Sequence, residues 1–365
     1  MRIIFFAYSK GIGLTNHFAK IAVDLYNKLQ SEKNDLLIVS LSNEQSPGLW
    51  EYVEKHIPKS NIVKRDSEVE LRNELLLIDW ESSQYKIHLH GITHIKLIND
   101  ILLKYKKNIT TFLTIHSYAH GKWYKGIYSS IFLIYLLRYV DKVIFTTPIS
   151  WNKFAFSKWL FMKGRIVHIP FCIKMDIKEK IKGENEKFQV IYLAQFHSHK
   201  QHLKFLPSII SFVRKYNDVV VYLCGDGLHR DEVVRIIQKE GLSDKIICPG
   251  RLPYDETMNK LLESDVALLL SKVETFGHAA LEPILSEVPI ISTRVGFAEY
   301  FIQDYINGIG ISTNQDLLAA LSYIKENKTK AERMSKIARE MALALFKYDN
   351  MINAYITLYL NESSY

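Results

Sequence analysis

Two glutamates, Glu274 and Glu282, lie eight positions apart and directly follow an apolar run at residues 266–270. This pattern predicts a buried strand, a loop and the start of a helix. A helix N-terminus suits a phosphate, because its first N–H groups have no intrahelical acceptor and the helix dipole is positive there. Carboxylates accept hydrogen bonds from the hydroxyl groups of a sugar or a ribose. The stretch therefore indicates a nucleotide-sugar site, with the phosphate over Phe276, Gly277 and His278.

The same spacing also arises by chance on helical surfaces, where it gives only two solvated carboxylates. Order along the chain favours a site, because four further segments flank the glutamates: 221–227, 246–250, 288–292 and 296–299. Together these segments resemble the E-x7-E motif and its companions in glycosyltransferase family 4, retaining enzymes of the GT-B fold. The resemblance implies a UDP- or GDP-linked sugar as co-substrate, with no cofactor and no metal ion.

The resemblance also implies roles for individual residues of the second half. Glu274 would contact hydroxyl groups of the donor sugar, and Glu282 would accept hydrogen bonds from the ribose. Lys200 matches a family lysine that neutralises the donor diphosphate. The base would be read by the backbone of a loop formed by Gly250, Arg251 and Leu252.

Gln195 stands where the family has an arginine, and Ala194 where it has a glycine. Loss of a guanidinium at a partly dry phosphate site removes roughly 1.5–3 kcal/mol of binding. Four nearby side chains are candidates to compensate for it: His197, His199, His202 and Arg294. A metal site is not expected at His197 and His199, because their loop offers no carboxylate partner.

A glycine loop, with Gly11 and Gly13, follows the first predicted strand. It differs from a dinucleotide-binding fingerprint, because Asn16 replaces the third glycine and no acidic residue ends the second strand. By resemblance, Gly11 and Gly13 face the donor phosphates and the acceptor.

His116 follows another predicted strand of the first half, in a T-x-H segment at residues 114–116. This segment resembles the one whose histidine reaches the transferred sugar in the family. His88 and His90 are instead interpreted as structural histidines within or at the end of a strand.

Short apolar runs recur in both halves and predict parallel strands buried on both faces. In the first half they lie at 3–7, 36–41, 87–89, 111–115, 143–145 and 166–169. In the second half they lie at 190–194, 219–223, 245–248, 266–270, 288–291 and near Ile309.

The fold prediction is therefore α/β, with two Rossmann-like domains. Residues 174–187 are dense in charge and predict a linker, which gives an N-terminal domain at 1–173 and a donor domain at 174–348. Residues 331–360 have a helical pattern that breaks around 347–350. By resemblance to GT-B enzymes, the parallel sheets face each other across a deep cleft, and about 349–365 returns to the first, acceptor domain.

Composition limits the class of protein further. The chain has 365 residues, 48% of them hydrophobic, and no apolar run reaches the roughly 18 residues of a membrane span. The brief apolar N-terminus predicts a first strand and not a signal peptide, so a cytoplasmic location is expected. The three cysteines have spacings that match no zinc or redox motif.

Charge is uneven along the chain. Residues 1–173 hold 23 Lys and Arg against 14 Asp and Glu, a net charge of +9, whereas the rest holds 24 against 25, a net charge of −1. A basic surface can contact anionic lipid at the inner face of the membrane or an anionic acceptor, or it can simply be solvated. Nucleic acid is not expected, because no recognition motif accompanies the charge.

The predicted function is a retaining, metal-independent hexosyltransferase that uses a saccharide or lipid-linked acceptor in surface polysaccharide or glycoconjugate synthesis. Two alternatives keep the fold. One is a sugar-nucleotide epimerase, and the other is an inactive partner subunit of an active transferase, which the substitution at Gln195 keeps open.

Overall fold

The computed structural model describes residues 2–7, 16–41, 47–91, 93–115, 138–146, 164–172, 174, 187–274 and 276–361. The chain forms two compact units, one made of 1–174 with 348–365 and the other of 175–347. Three predicted site residues lie outside the described part, namely Gly11, Gly13 and His116, as does most of the predicted linker.

A parallel sheet forms the centre of the first unit. In the described residues it has seven strands in the order β3-β2-β1-β4-β5-β6-β7. The central strands are buried on both faces, which explains their continuous apolar sequences. The strands are β1 (Arg2–Phe6), β2 (Asp35–Leu41), β3 (Ile62–Arg65), β4 (Tyr85–His90), β5 (Ile109–Ile115), β6 (Lys142–Phe145) and β7 (Ile166–His168).

The sequence patterns located every strand of this sheet except β3. All four residues of β3 are only partly buried, and it lies at the edge of the sheet beside β2. An edge strand needs no continuous apolar run. Two of the four residues of β3 are charged, so the apolar pattern does not predict this strand. Helices surround the sheet at Asn16–Ser31, Pro47–His56, Glu68–Leu76 and Thr93–Lys104.

The C-terminal helix, Tyr348–Asn361, packs in the first unit. The hydroxyl of Tyr359 and the buried ring of His88 form a hydrogen bond, and the other ring nitrogen of His88 lies 2.7 Å from Thr114 Oγ1. The ammonium group of buried Lys86 donates to the carbonyl of Tyr359. Buried polar groups such as these need partners, so this network fixes the helix against β4 and β5.

The second unit has its own parallel sheet, with six strands in the described residues and the order β10-β9-β8-β11-β12-β13. Its strands are β8 (Phe188–Leu193), β9 (Val219–Cys224), β10 (Ile246–Gly250), β11 (Val266–Leu269), β12 (Ile290–Ser292) and β13 (Ile309–Gly310). Its helices are His202–Lys215, Arg230–Lys239, Tyr254–Glu263, His278–Leu285, Ala298–Phe301, Asn314–Glu326 and Lys328–Leu345.

Each unit is therefore a doubly wound α/β domain, as the sequence predicted. The predicted break in the C-terminal helical region is also present, between the helices Lys328–Leu345 and Tyr348–Asn361. Within the described ranges, no helix is long and apolar enough to cross a membrane.

Candidate active site

The candidate site lies where the strand order of the second sheet reverses. From β8 the chain proceeds to β9 on one side, and it later returns to place β11 on the other side of β8. In open parallel sheets, ligands bind outside the carboxyl ends of the strands at such a switch point. Lys200 follows β8 and Glu274 follows β11, so the fold brings these two predicted site residues to the same place.

Lys200 and Glu274 form an ion pair between Nζ and Oε1. The same Oε1 atom accepts a hydrogen bond of 2.6 Å from Ser271 Oγ. Both charged side chains are largely shielded, with 17% of Lys200 and 16% of Glu274 exposed. Charges in a partly dry site interact more strongly than charges in water, so the pair is held in a defined position.

Two further hydroxyl groups hold the loops that carry this pair. Tyr192 Oη donates to the carbonyl of Lys200 at 2.6 Å, and Thr293 Oγ1 donates to the carbonyl of Ser271 at 2.5 Å. Burial raises the pKa of Tyr192, so its hydroxyl stays protonated and remains a donor. The site thus joins the loops after β8, β11 and β12.

Sequence reasoning missed Ser271, Tyr192 and Thr293. A signal for Ser271 was present, because it is a polar residue two positions after the buried strand β11 and three before Glu274. Tyr192 lies inside an apolar strand and gave no such signal. Only the packing of β8 against β11 shows that its hydroxyl reaches the site.

The turn between the two predicted glutamates depends on Gly277 and Gly296. Gly277 precedes the helix His278–Leu285 with a φ of 94°, a left-handed conformation that favours glycine. A Cβ atom at Gly296 would lie 2.2 Å from the carbonyl oxygen of Phe276 and 3.1 Å from Glu274 Cβ. The backbone of the loop after β12 therefore closes directly on the Glu274 loop.

Phe276 contributes its backbone to this turn, while its side chain is part of the core. The ring is 3% exposed and packs 5.0 Å from the ring of Phe297 and 5.5 Å from that of Phe346. Its carbonyl accepts a hydrogen bond from the N–H of Phe297 at 2.8 Å. His278 is the first residue of the helix, and its side chain lies outside the described residues.

Glu282 lies in the same helix and is partly buried. Burial raises the pKa of its carboxyl group to about 7. The carboxyl is therefore poised to change its protonation state near neutral pH, in contrast to an ordinary surface glutamate. A partner that donates hydrogen bonds to it would favour the ionised form.

This raised pKa predicts a pH dependence of stability. Between pH 4.5 and 7 the unfolded chain releases the Glu282 proton while the folded chain keeps it, so the free energy of unfolding falls as pH rises. A shift from 4.5 to about 7 corresponds to about 3 kcal/mol. For Glu282→Gln, we expect the free energy of unfolding measured by denaturant melts to lack this decrease between pH 4.5 and 7.

At each pH, the free energy of unfolding of the variant must be subtracted from that of the wild type. His17 and His202 have pKa values lowered to about 4 by burial, so they contribute the opposite slope below pH 6.5. If the free energy of unfolding depended on pH in the same way for wild type and Glu282→Gln, that result would contradict the raised pKa of Glu282.

Gln195 is exposed two residues after β8, and two of the side chains that are candidates to compensate for the missing arginine are engaged elsewhere. His202 is buried and stacks on Phe196, with ring centroids 4.0 Å apart. Arg294 binds the carbonyl of Ile302 and forms an ion pair with Asp304 at 2.5 Å. His202 and Arg294 therefore do not replace the family arginine in this arrangement.

His197 and His199 remain beside the site. Both are exposed, and their rings stack with centroids 5.9 Å apart in the loop before Lys200. Partial desolvation of the ring and the nearby Lys200 cation lower the pKa of His199, so its ring is a neutral hydrogen-bonding group at pH 7. In the part of the chain that the structure describes, no cluster of three or more His, Cys, Asp or Glu side chains could hold a metal ion.

The predicted base loop, Gly250 to Leu252, begins at the last residue of β10. The N–H of Gly225 donates to the carbonyl of Gly250 at 2.8 Å, which fixes the loop to the end of β9. Arg251 is exposed, and Leu252 is half-buried on a cavity of about 210 Å³ that Tyr222 also lines. β10 and β11 are three strand spacings apart, about 14 Å, which suits a nucleotide diphosphate extended along the sheet edge.

Residues 174–341 match the family described as glycosyl transferases group 1. The match covers almost the whole of the second unit and supports a glycosyltransferase. Lys200, Glu274 and Glu282 all lie within the matched residues, as does the loop at 250–252.

The chain is also similar in sequence to two bacterial proteins. The chain is 27% identical over 186 residues to N-acetyl-alpha-D-glucosaminyl L-malate synthase of Bacillus anthracis, a match that covers 50% of this chain and 47% of that enzyme. An uncharacterized 41.2 kDa protein in the cps region of Klebsiella pneumoniae is 26% identical, with 75% and 78% covered.

Solved structures show the GT-B fold over almost the whole chain. Anabaena Alr3699/HepE, in complex with UDP and glucose, has a TM-score of 0.76 at 15% identity, and 99% of each chain is covered. A mutant of S. aureus TarM in complex with Fondaparinux, alpha-GlcNAc-glycerol and UDP has a TM-score of 0.75 at 12% identity, with 98% and 99% covered. The first unit, which the family match does not include, thus has a counterpart in whole GT-B proteins.

Proposed function

We propose that this protein is a retaining glycosyltransferase that moves a sugar from a nucleotide-linked donor to a hydroxyl group of a saccharide or lipid-linked acceptor. The observation that carries the proposal is the contact of Lys200 with Glu274 at the switch point of the second sheet. A cation for the diphosphate and a carboxylate for the sugar are thus adjacent, as transfer from a nucleotide sugar requires.

The proposed reaction breaks the bond between the anomeric carbon and the diphosphate and forms a bond to the acceptor oxygen on the same face. The acceptor hydroxyl loses its proton to the departing phosphate oxygen, so no enzyme nucleophile or metal ion is required. Lys200 and the helix N-terminus at Gly277 stabilise the negative charge that develops on the leaving diphosphate. Glu274 positions the sugar, and His116 is proposed to assist it from the first unit.

Glu282 is proposed to accept hydrogen bonds from the ribose, and the loop at 250–252 to bind the base. UDP is the favoured nucleotide, because the compared structures of Alr3699/HepE and TarM contain it. Gln195, Gly11 and Gly13 are proposed to contribute to donor binding, and a GDP-linked sugar is the alternative donor.

The first unit, 1–173 with about 349–365, is proposed to bind the acceptor, and 174–348 to bind the donor. The excess positive charge of residues 1–173 supports an anionic or lipid-linked acceptor, with peripheral contact at the inner, cytoplasmic face of a membrane. The Klebsiella pneumoniae relative lies in a cps region, which supports a role in surface polysaccharide synthesis.

A thermal-shift screen against UDP, GDP, ADP, CMP and UDP- and GDP-sugars tests the donor site. A ligand that binds only the folded state raises the melting temperature, by the equivalent of about 2.7 kcal/mol at one hundred times its Kd. We expect a shift with UDP and UDP-sugars that Glu282→Ala reduces. The screen is best run at pH 8, where Glu282 is ionised and can accept hydrogen bonds from the ribose.

The outcomes separate the alternatives. No shift with any nucleotide at millimolar concentration would favour the inactive partner subunit, because Gln195 would then have removed donor binding. A protein that converts a nucleotide sugar without any acceptor would instead be an epimerase.

A further inference from the structure

Lys200 has two possible partners if the proposed function holds. In the structure its ammonium group contacts the Glu274 carboxylate, and in the proposed reaction it contacts the donor diphosphate. One compact ammonium group can donate to both partners only when they lie close together. The Glu274 carboxylate therefore competes with the diphosphate for this cation before the donor binds.

Glu274 also has a second partner that carries no charge. Ser271 Oγ donates to the same Oε1 atom that Lys200 contacts. Ser271 is completely buried, and its backbone carbonyl is fixed by the hydroxyl of Thr293. The serine hydroxyl is therefore held in place independently of Lys200.

We propose that Ser271 is the positioning residue for Glu274, and that it holds the carboxylate when Lys200 leaves it for the diphosphate. The inference rests on the proposed function and adds an exchange of partners within the same site. A carboxylate left without Ser271 or Lys200 would be shielded and unsatisfied, and such groups are costly. Ser271 thus makes Lys200 available to phosphate.

This exchange predicts opposite effects for two substitutions. Glu274→Gln removes the competing charge, so diphosphate binding should become about fivefold tighter. Ser271→Ala removes the group that satisfies Glu274 after the exchange, so diphosphate binding should become about fivefold weaker. The double variant should bind like Glu274→Gln alone, because a neutral amide does not need the serine to the same extent.

Titration calorimetry of the full chain with inorganic pyrophosphate and with UDP measures these affinities. The four proteins of the cycle are wild type, Ser271→Ala, Glu274→Gln and the double variant, and the cycle isolates the coupling between the two residues. Ser264→Ala is the matched control, because Ser264 is also completely buried but its hydroxyl donates to the carbonyl of Lys260 at 2.7 Å. We expect the control to bind both ligands like wild type.

A damaged fold and a lost partner give different results in this cycle. General damage from Ser271→Ala would weaken binding equally in the wild-type and Glu274→Gln backgrounds, and that result would overturn the proposal. Unchanged or weaker pyrophosphate binding by Glu274→Gln would also overturn it, because Lys200 would not then be shared.

Pyrophosphate separates this inference from the proposed function. Wild-type protein that binds pyrophosphate with the expected cycle, but neither UDP nor another nucleotide, would support the exchange and contradict the transferase. Failure of every protein in the cycle to bind pyrophosphate would contradict the exchange itself.

Discussion

Glu274→Ala should lower sugar transfer by roughly a hundredfold or more while leaving the second unit folded. The expected loss is large because a group that orients the reacting sugar acts fully only in the transition state. Folding should survive, because Glu274 is not part of the apolar core and its partner Lys200 is 17% exposed and can gain water. Initial rates with UDP-sugar and acceptor, together with circular dichroism, measure the two effects.

The pattern of kinetic constants gives a sharper result than activity alone. Removal of a transition-state contact lowers kcat and kcat/KM together, whereas loss of uniform binding raises KM alone. The Ser264→Ala protein provides the reference for a buried change elsewhere in the unit. Wild-type turnover by Glu274→Ala would refute the assignment of the site.

Lys200→Ala should weaken binding of nucleoside diphosphates by about 10- to 150-fold. A hydrogen bond to a charged group contributes about 1.5–3 kcal/mol, and Gln195 cannot supply a second cation at the neighbouring family position. The variant also leaves the shielded Glu274 carboxylate without a cation, although Ser271 remains as its partner. The uncompensated negative charge of the carboxylate then repels the incoming diphosphate. Titration with UDP gives the loss directly.

Lys204→Ala is the matched control for this experiment. Lys204 lies in the next helix, where its ammonium group is 3.4 Å from the carbonyl of Ser312 and over the ring of Phe205. It carries the same charge four residues further along the chain without contacting Glu274, so UDP affinity should stay within about twofold of wild type. Equal losses in the two variants would indicate only a general effect of positive charge.

Local sequence determined most of the secondary structure in both sheets. Continuous apolar runs located the strands buried on both faces, because such strands contact helices on either side. The same patterns missed β3, whose four residues are partly exposed at an edge and include two consecutive charged residues. The sequence also predicted the break between the last two helices, since the apolar periodicity is interrupted there.

Sequence determined the types of site residue more completely than their surroundings. The resemblance selected Lys200, Glu274 and Glu282, but it could not show that the Glu282 carboxyl group has a pKa near 7, because burial depends on packing. The sequence offers Arg294 and His202 as candidates to compensate for the missing arginine, but in the structure Arg294 pairs with Asp304 and His202 stacks on Phe196.

The sequence by itself determined a doubly wound α/β chain with a cation, two carboxylates and a glycine turn at strand ends. Only the tertiary structure decided that Lys200, 74 residues away from Glu274 in sequence, contacts the same Glu274 oxygen atom as Ser271. The physical reason is the strand order: β8 and β11 are neighbours although β9 and β10 lie between them in sequence. Local patterns specify strands, whereas pairing between distant strands depends on how the whole sheet packs.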